Sequence, residues 1–126
     1  MQSNPIVWFE IYVDDMPRAK QFYEKVLGVT LELMNNPTGI EVEMWGFPSN
    51  QEGYGATGAL AKMKDVPAGG NSTLVYFSCE DCSIEASRVD SAGGTLQAPK
   101  FPIGEHGFIA IVTDTEGNTI GLHSMK

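Results

Sequence analysis

The chain has 126 residues, 42% apolar and 19% charged, a size and balance that fit one folded domain and exclude a disordered chain. Acidic side chains outnumber basic ones 16 to 8, for a net charge of −8, and the Lys and Arg do not cluster, which argues against nucleic acid and against anionic lipid. No apolar run is long enough for a membrane helix and the opening residues lack signal-peptide order, so a cytoplasmic location is expected.

The sequence is written twice. Laid with Ile6 over Ser72, the stretch to Thr30 covers the stretch to Leu96 without a gap, with Val13-Asp14-Asp15-Met16 over Cys79-Glu80-Asp81-Cys82 and Gly28 over Gly94. Towards the ends Gly58 to Met63 lies over Ile120 to Met125, once a longer loop around Ser49 to Gly55 is allowed for. In the first copy Val7, Phe9, Ile11 and Val13 alternate with Trp8, Glu10 and Tyr12, a strand with one apolar face and one aromatic, acidic face. Asp15 is placed to cap a helix with Pro17 in its first turn. Ala19, Phe22, Tyr23, Val26 and Leu27 form its apolar stripe and Gly28 its stop. Strands are expected near Thr30–Leu33, Ile40–Trp45 and Thr57–Met63.

Val66 to Asn71 reads as a linker, so the single domain divides into a first module at about 5–65 and a second at about 72–126. The second opens with a strand over Thr73–Cys79, followed by a helix capped by Asp81 and ending at Gly93-Gly94. Strands follow at Thr95–Ala98, Gly107–Thr113 and Thr119–His123, the last two joined by a turn in which Gly117 supplies positive φ. The fold class is α+β: two βαβββ modules in tandem, each a curved mixed sheet with its helix outside.

The segment VWFEIYVDDMPRAKQFYEKVLGV resembles the opening of the vicinal oxygen chelate superfamily, which includes glyoxalase I, extradiol dioxygenases and bleomycin-resistance proteins. VTDTEGNTIGL is similar to that family's closing turn and strand. The resemblance implies a glyoxalase-like fold and, in metal-using members, a divalent ion held from the first and last strand of each module. Carried onto this chain, those positions are Trp8, Ala59, Leu74 and Gly121. None offers an oxygen or imidazole nitrogen to a metal, so no metal and no cofactor is expected. The resemblance also implies a homodimer, with the pocket inside one chain or across two.

If the curved sheets form, alternation puts Trp8, Glu10, Tyr12, Tyr76 and His123 on the faces away from the helices, with Ala59, Ala61 and Gly121 leaving room. Tyr54 stands in a loop read as the rim. These aromatic and polar residues are the candidate small-molecule site: Trp8, Glu10, Tyr12, Tyr54, Tyr76 and His123. Two enzyme readings compete: a metal site from Glu10, Glu43 and His123, or metal-free proton transfer by Glu10, Tyr12 and His123. A purely structural protein with a filled cavity is a third reading.

Other motifs lead less far. Cys79-Glu80-Asp81-Cys82 is a CxxC, but two cysteines cannot complete a zinc site and Cys79 falls on the apolar side, so packing is expected. Gly53 to Gly58 matches GxGxxG yet precedes a strand rather than a helix, which removes the dipole a dinucleotide phosphate needs. His106 reads as a solvated loop histidine.

Overall fold

The strand alternation and helix stripe of the first copy produce β1 (Trp8–Tyr12), α1 (Met16–Leu27), β2 (Glu32–Leu33), β3 (Val42–Gly46) and β4 (Thr57–Met63). The second copy gives β5 (Tyr76–Ser78), α2 (Cys82–Ser87), a 3-10 turn at Asp90–Ala92, β6 (Thr95–Pro102), β7 (Phe108–Thr113) and β8 (Thr119–Ser124). This computed structural model describes residues 4–35, 41–50 and 52–126, so Ile40, expected to open a strand, lies outside the described residues. The two sheets have equivalent orders, β1-β4-β3-β2 and β5-β8-β7-β6. In each, the first strand pairs parallel with the last and the other pairs are antiparallel.

The caps form as the side-chain chemistry requires. The Asp15 carboxylate accepts the backbone N–H of Arg18, and Gly28 ends α1 with φ +68, a conformation that favours glycine. Ala19, Phe22, Tyr23 and Val26 are fully buried. Asp81 caps α2 through the Ser83 N–H. The helix expected to run on to Gly93 instead stops at Ser87. Arg88 donates its N–H to the Glu85 carbonyl in a tightened turn, and the Ser87 and Ser91 hydroxyls bond the carbonyls of Ile84 and Arg88. Such local bonds compete with the helical ladder. β5 is shorter than expected because its ladder with β8 runs only from Tyr76↔Gly121 to Ser78↔His123.

One core serves both copies. Ile11, Val13, Phe22, Tyr23 and Leu60 pack together with Cys82, Val89, Val112 and Leu122. Rings of Phe9, Phe47, Phe77 and Tyr23 meet edge-on or tilted with centroids 5.3–5.9 Å apart. Helix α1 leans on the second copy: the Tyr23 hydroxyl donates to Asp114 at 2.6 Å, and Arg18 grips Glu116 through Nε at 2.7 Å and Nη2 at 2.9 Å. The linker is tied down as well, with Ala68 N–H on the Asp14 carboxylate and Gly69 N–H on the Asn118 side-chain amide oxygen. Val7 departs from the alternation. It stands before β1, is 79% exposed and does not reach the helix.

Candidate functional site

The face of β1 away from α1 carries Trp8, Glu10 and Tyr12, opposite Thr57, Ala59 and Ala61 of β4. The Glu10 carboxylate lies between two donors of its own strand, Trp8 Nε1–H at 3.2 Å on Oε2 and the Tyr12 hydroxyl at 2.8 Å on Oε1. That bond to Glu10 raises the Tyr12 phenol above its ordinary range, since losing the phenol proton would set two anions side by side. The corresponding face of the second sheet carries Tyr76, Ser78, Gly121 and His123. There His123 Nε2 lies 2.7 Å from the His106 carbonyl oxygen. A carbonyl only accepts, so Nε2 carries the proton.

The six candidate residues do not converge within the chain. Trp8 and Tyr54 line one groove of about 1060 Å³ between β1, the loop before β4, and β5. Glu10 and Tyr12 line a second cleft of about 290 Å³, closed by the linker and the start of β8. Tyr76 and His123 line neither, and among the described residues no hydrogen bond or ion pair joins Glu10 to His123. Tyr54 is wholly exposed at the groove's rim. The room expected over the small residues is taken: Ala59 and Ala61 are fully buried, and the ring of Tyr76 lies directly over Gly121.

The metal that the fold family implies does not fit these residues. Trp8 spends its only polar hydrogen on Glu10, Ala59 has no accessible surface, Leu74 precedes its strand and Gly121 lies beneath an aromatic ring. The alternative triad also fails on register. Glu43 pairs with Lys62 while Glu10 pairs with Ala59, which puts the two carboxylates on opposite faces of one sheet. Glu43 instead accepts from Trp45 Nε1 on the helix side, where Lys20 caps the Trp45 ring 3.3 Å from its centroid. Among the described residues no three His, Cys, Asp or Glu side chains gather around a point.

Sequence reasoning missed two carboxylates. Glu116 stands in the turn before β8, yet it is buried and accepts Asp14 N–H, Asp15 N–H, Arg18 and the Thr115 hydroxyl. Burial pushes its carboxyl up, but Arg18, the Asp15 amide, Thr115 and the Asp14 amide outweigh it and hold it at about 2. Glu85, on α2, lines the large groove and has one oxygen, Oε1, buried with no hydrogen-bond partner among the described residues. Its signal was available in the spacing: Glu85 follows Cys82 by one helical turn, on the buried side with Ala86 and Val89.

Cys79 and Cys82 are free thiols. Burial first, then the Glu85 carboxylate, push the Cys79 thiol up to about 12, so its nucleophilic form is scarce at neutral pH. Alkylation of Cys79 by iodoacetamide at pH 8 is expected to run at least about 100-fold slower than that of free cysteine. A rate within about three-fold of free cysteine, read by mass spectrometry, would contradict this placement.

Two βαβββ halves, each a four-stranded mixed sheet with a helix on one side and an aromatic, polar face on the other, define a glyoxalase-like protein. The chain belongs to the Glyoxalase/Bleomycin resistance protein/Dioxygenase superfamily, whose sequence profile matches residues 5–122. The CFP32 proteins of Mycobacterium bovis and Mycobacterium tuberculosis, provisionally named glyoxylases, are 27% identical to it over 92% of this chain and 42% of their own. The chain thus spans less than half the length of these relatives. Among solved structures, Zea mays glyoxalase I superposes with a TM-score of 0.73 at 23% identity, over 96% of this chain and 46% of the maize chain. TnmS3, an antibiotic binding protein from Streptomyces sp. CB03234, superposes with a TM-score of 0.64 at 23% identity over 98% of both chains. No helix of the described residues is long and apolar enough to cross a membrane.

Proposed function

We propose that this protein binds a small molecule without a metal, on the sheet faces that metal-using relatives devote to their ion, and that it does so in the cytoplasm as a homodimer. The single observation carrying the reading is what stands at the implied ligand positions: the Trp8 indole, the buried methyl of Ala59 and Gly121 beneath the ring of Tyr76. Such surfaces stack on a flat or amphipathic ligand and leave a few polar groups, Glu10, Tyr12 and His123, to orient it. The fold is shared with TnmS3, described as an antibiotic binding protein, so a binding role lies within what this fold carries.

The distribution of the six residues supports assembly. Trp8, Glu10 and Tyr12 lie on one sheet and Tyr76 and His123 on the other, so a second chain is the simplest way to enclose both faces. The strands that would meet it, β1 and β5, are sheet edges, and Ile6, Val7, Trp8, Leu74 and Tyr76 beside them are between 38% and 79% exposed. Unpaired, apolar edges are surfaces a soluble chain covers. Light scattering is expected to give twice the chain mass, and a monomer at micromolar concentration would remove the shared pocket.

The ligand itself is sought by a thermal-shift screen, in which a binder at 100 times its dissociation constant adds about 2.7 kcal/mol to stability. Its binding is expected to change tryptophan emission through Trp8, because Trp45 is already held between Lys20 and Glu43 on the far side of the sheet. A Trp8→Phe variant should lose most of the signal. Should the whole signal survive, the ligand does not lie on this face. Titration of the apoprotein with Ni²⁺, Zn²⁺ or Mn²⁺ is expected to give no one-to-one complex, and tight stoichiometric binding of any of them would overturn the metal-free reading.

A further inference from the structure

Strand β1 is the edge of its sheet, with β4 on one side only. The N–H and C=O groups of successive strand residues point to alternate sides. Val13 donates its N–H to the Ala61 carbonyl at 2.9 Å, so in the register that sets Glu10 beside Ala59 and Tyr12 beside Ala61 the backbones of Phe9, Ile11 and Val13 serve β4. Those of Glu10 and Tyr12 point out from the edge. The Tyr12 carbonyl agrees, since it accepts Nδ2–H of Asn118 at 3.0 Å from the turn before β8. The Glu10 pair has no such answer: among the described residues no hydrogen bond reaches its backbone N–H or C=O. Together with Val66, Pro67, Val75 and Ile120, this edge encloses the cleft of about 290 Å³. The two asparagines that line it are spent. Asn71 donates to the Thr73 and Thr119 carbonyls and accepts Thr119 N–H, and Asn118 donates to Tyr12 and Asp114 and accepts Gly69 N–H. One donor and one acceptor of a single residue are left side by side among hydrocarbon.

We propose that this cleft holds the polar edge of the small molecule, and that this edge is a cyclic secondary amide, a lactam whose C=O accepts Glu10 N–H and whose N–H donates to the Glu10 C=O. The inference rests on the binding role proposed above, because the side chains of Glu10 and Tyr12 belong to the face assigned there. Three properties of the wall select the lactam. A ring holds its amide cis, so N–H and C=O leave from one side, as the Glu10 pair requires; an open-chain secondary amide is trans and sends them opposite ways. A carboxylate brings acceptors only and an ammonium donors only, so each leaves one Glu10 group unpaired. The rest of the ring system is apolar area laid against Val66, Pro67, Val75 and Ile120. A volume of about 290 Å³, at the lower end for ligand sites, suits a fused pair of rings.

The test is a pair of probes, quinolin-2(1H)-one and its N-methyl derivative, titrated calorimetrically into the intact protein at pH 7. The N–H lactam is expected to bind at least ~10-fold more tightly, because methylation removes the donor and leaves the Glu10 carbonyl unpaired against the ligand. In a ¹H–¹⁵N spectrum the lactam should move the Glu10 amide proton downfield, and further than those of Ile11 and Val13, which are engaged with β4. Glu10→Pro removes the N–H that β4 does not use, a change an edge strand tolerates. It should bind the lactam at least ~10-fold more weakly than Glu10→Ala, which lacks the same carboxylate but keeps the N–H. Should the proline variant fail to fold, the probe pair and the amide shift decide alone. Equal affinity for the two probes, no binding of the lactam, an unmoved Glu10 amide, or a folded proline variant that matches the alanine one would overturn the proposal. A different ligand that changes Trp8 emission while the lactam fails would end this inference and keep the binding role. A stoichiometric metal complex would end the binding role itself.

Discussion

Replacing Glu116 by Gln should destabilise the protein by about 3 kcal/mol, more than any other single polar substitution expected for this chain. Oε1 of Glu116 accepts the backbone N–H groups of Asp14 and Asp15 and one N–H of Arg18, and Oε2 accepts Arg18 Nε–H and the Thr115 hydroxyl. An amide has one acceptor oxygen, and in either orientation its NH₂ faces donors. The Asp14 and Asp15 amides begin α1, so the loss loosens that helix's N-terminus and the docking of the two copies at once. Arg18 is half-exposed and can turn to water, which keeps the cost at the lower end for a broken buried pair.

The same carboxylate sets an acid limit. Held at about 2 in the folded chain against an ordinary 4.5, it contributes stability that is complete above about pH 5 and is lost as pH falls from 4.5 towards 2. Asp81, held at about 2 first by Lys100 and then by Ser83 against an ordinary 3.8, acts in the same direction, from about pH 3.8 downwards. Urea unfolding between pH 7 and pH 3 should therefore show a steep decline for the native chain and a shallower one for Glu116→Gln. Two profiles of equal slope, or a variant within ~0.5 kcal/mol of native at pH 7, would show that Glu116 is not the node described.

Placing a carboxylate at one of the ligand positions that the resemblance implies, through Gly121→Glu, is expected to cost about 2–3 kcal/mol and to create no metal site. Any side chain at Gly121 meets the ring of Tyr76, and a carboxylate there would also be buried without a cation. Thermal melts with and without Ni²⁺ or Zn²⁺ should show one lowered midpoint, unmoved by metal. Tyr76→Ala in the same background should recover part of the loss, because it removes the ring that collides. A midpoint that rises with metal in Gly121→Glu would mean that the remaining positions can act as ligands after all. It would also put the metal-free proposal in doubt.

Much of the fold was legible because it is written in short-range periodicity. Alternation from Val7 to Val13, the stripe from Ala19 to Leu27, the Asp15 and Asp81 caps and the Gly117 turn are each decided within a few residues. The repeated order of strands and helix then leaves few ways to arrange two sheets. The short second helix was not legible, since Ser87 and Ser91 end it by bonds that compete locally with a pattern still reading as helical. For the candidate site, the alternation of Trp8, Glu10 and Tyr12 on β1 and the placing of His123 on the second sheet could be read in advance, but not that Glu10 and His123 make no contact.

By itself the sequence determined two copies of one βαβββ pattern with their caps and turns. Only the tertiary structure decided that Glu116 joins the copies and that Tyr76 covers Gly121. The reason is range. Backbone geometry and amphipathic spacing are set by neighbours along the chain, whereas a buried charge is defined by groups far away in sequence, such as Arg18 for Glu116, and these meet only when the core closes.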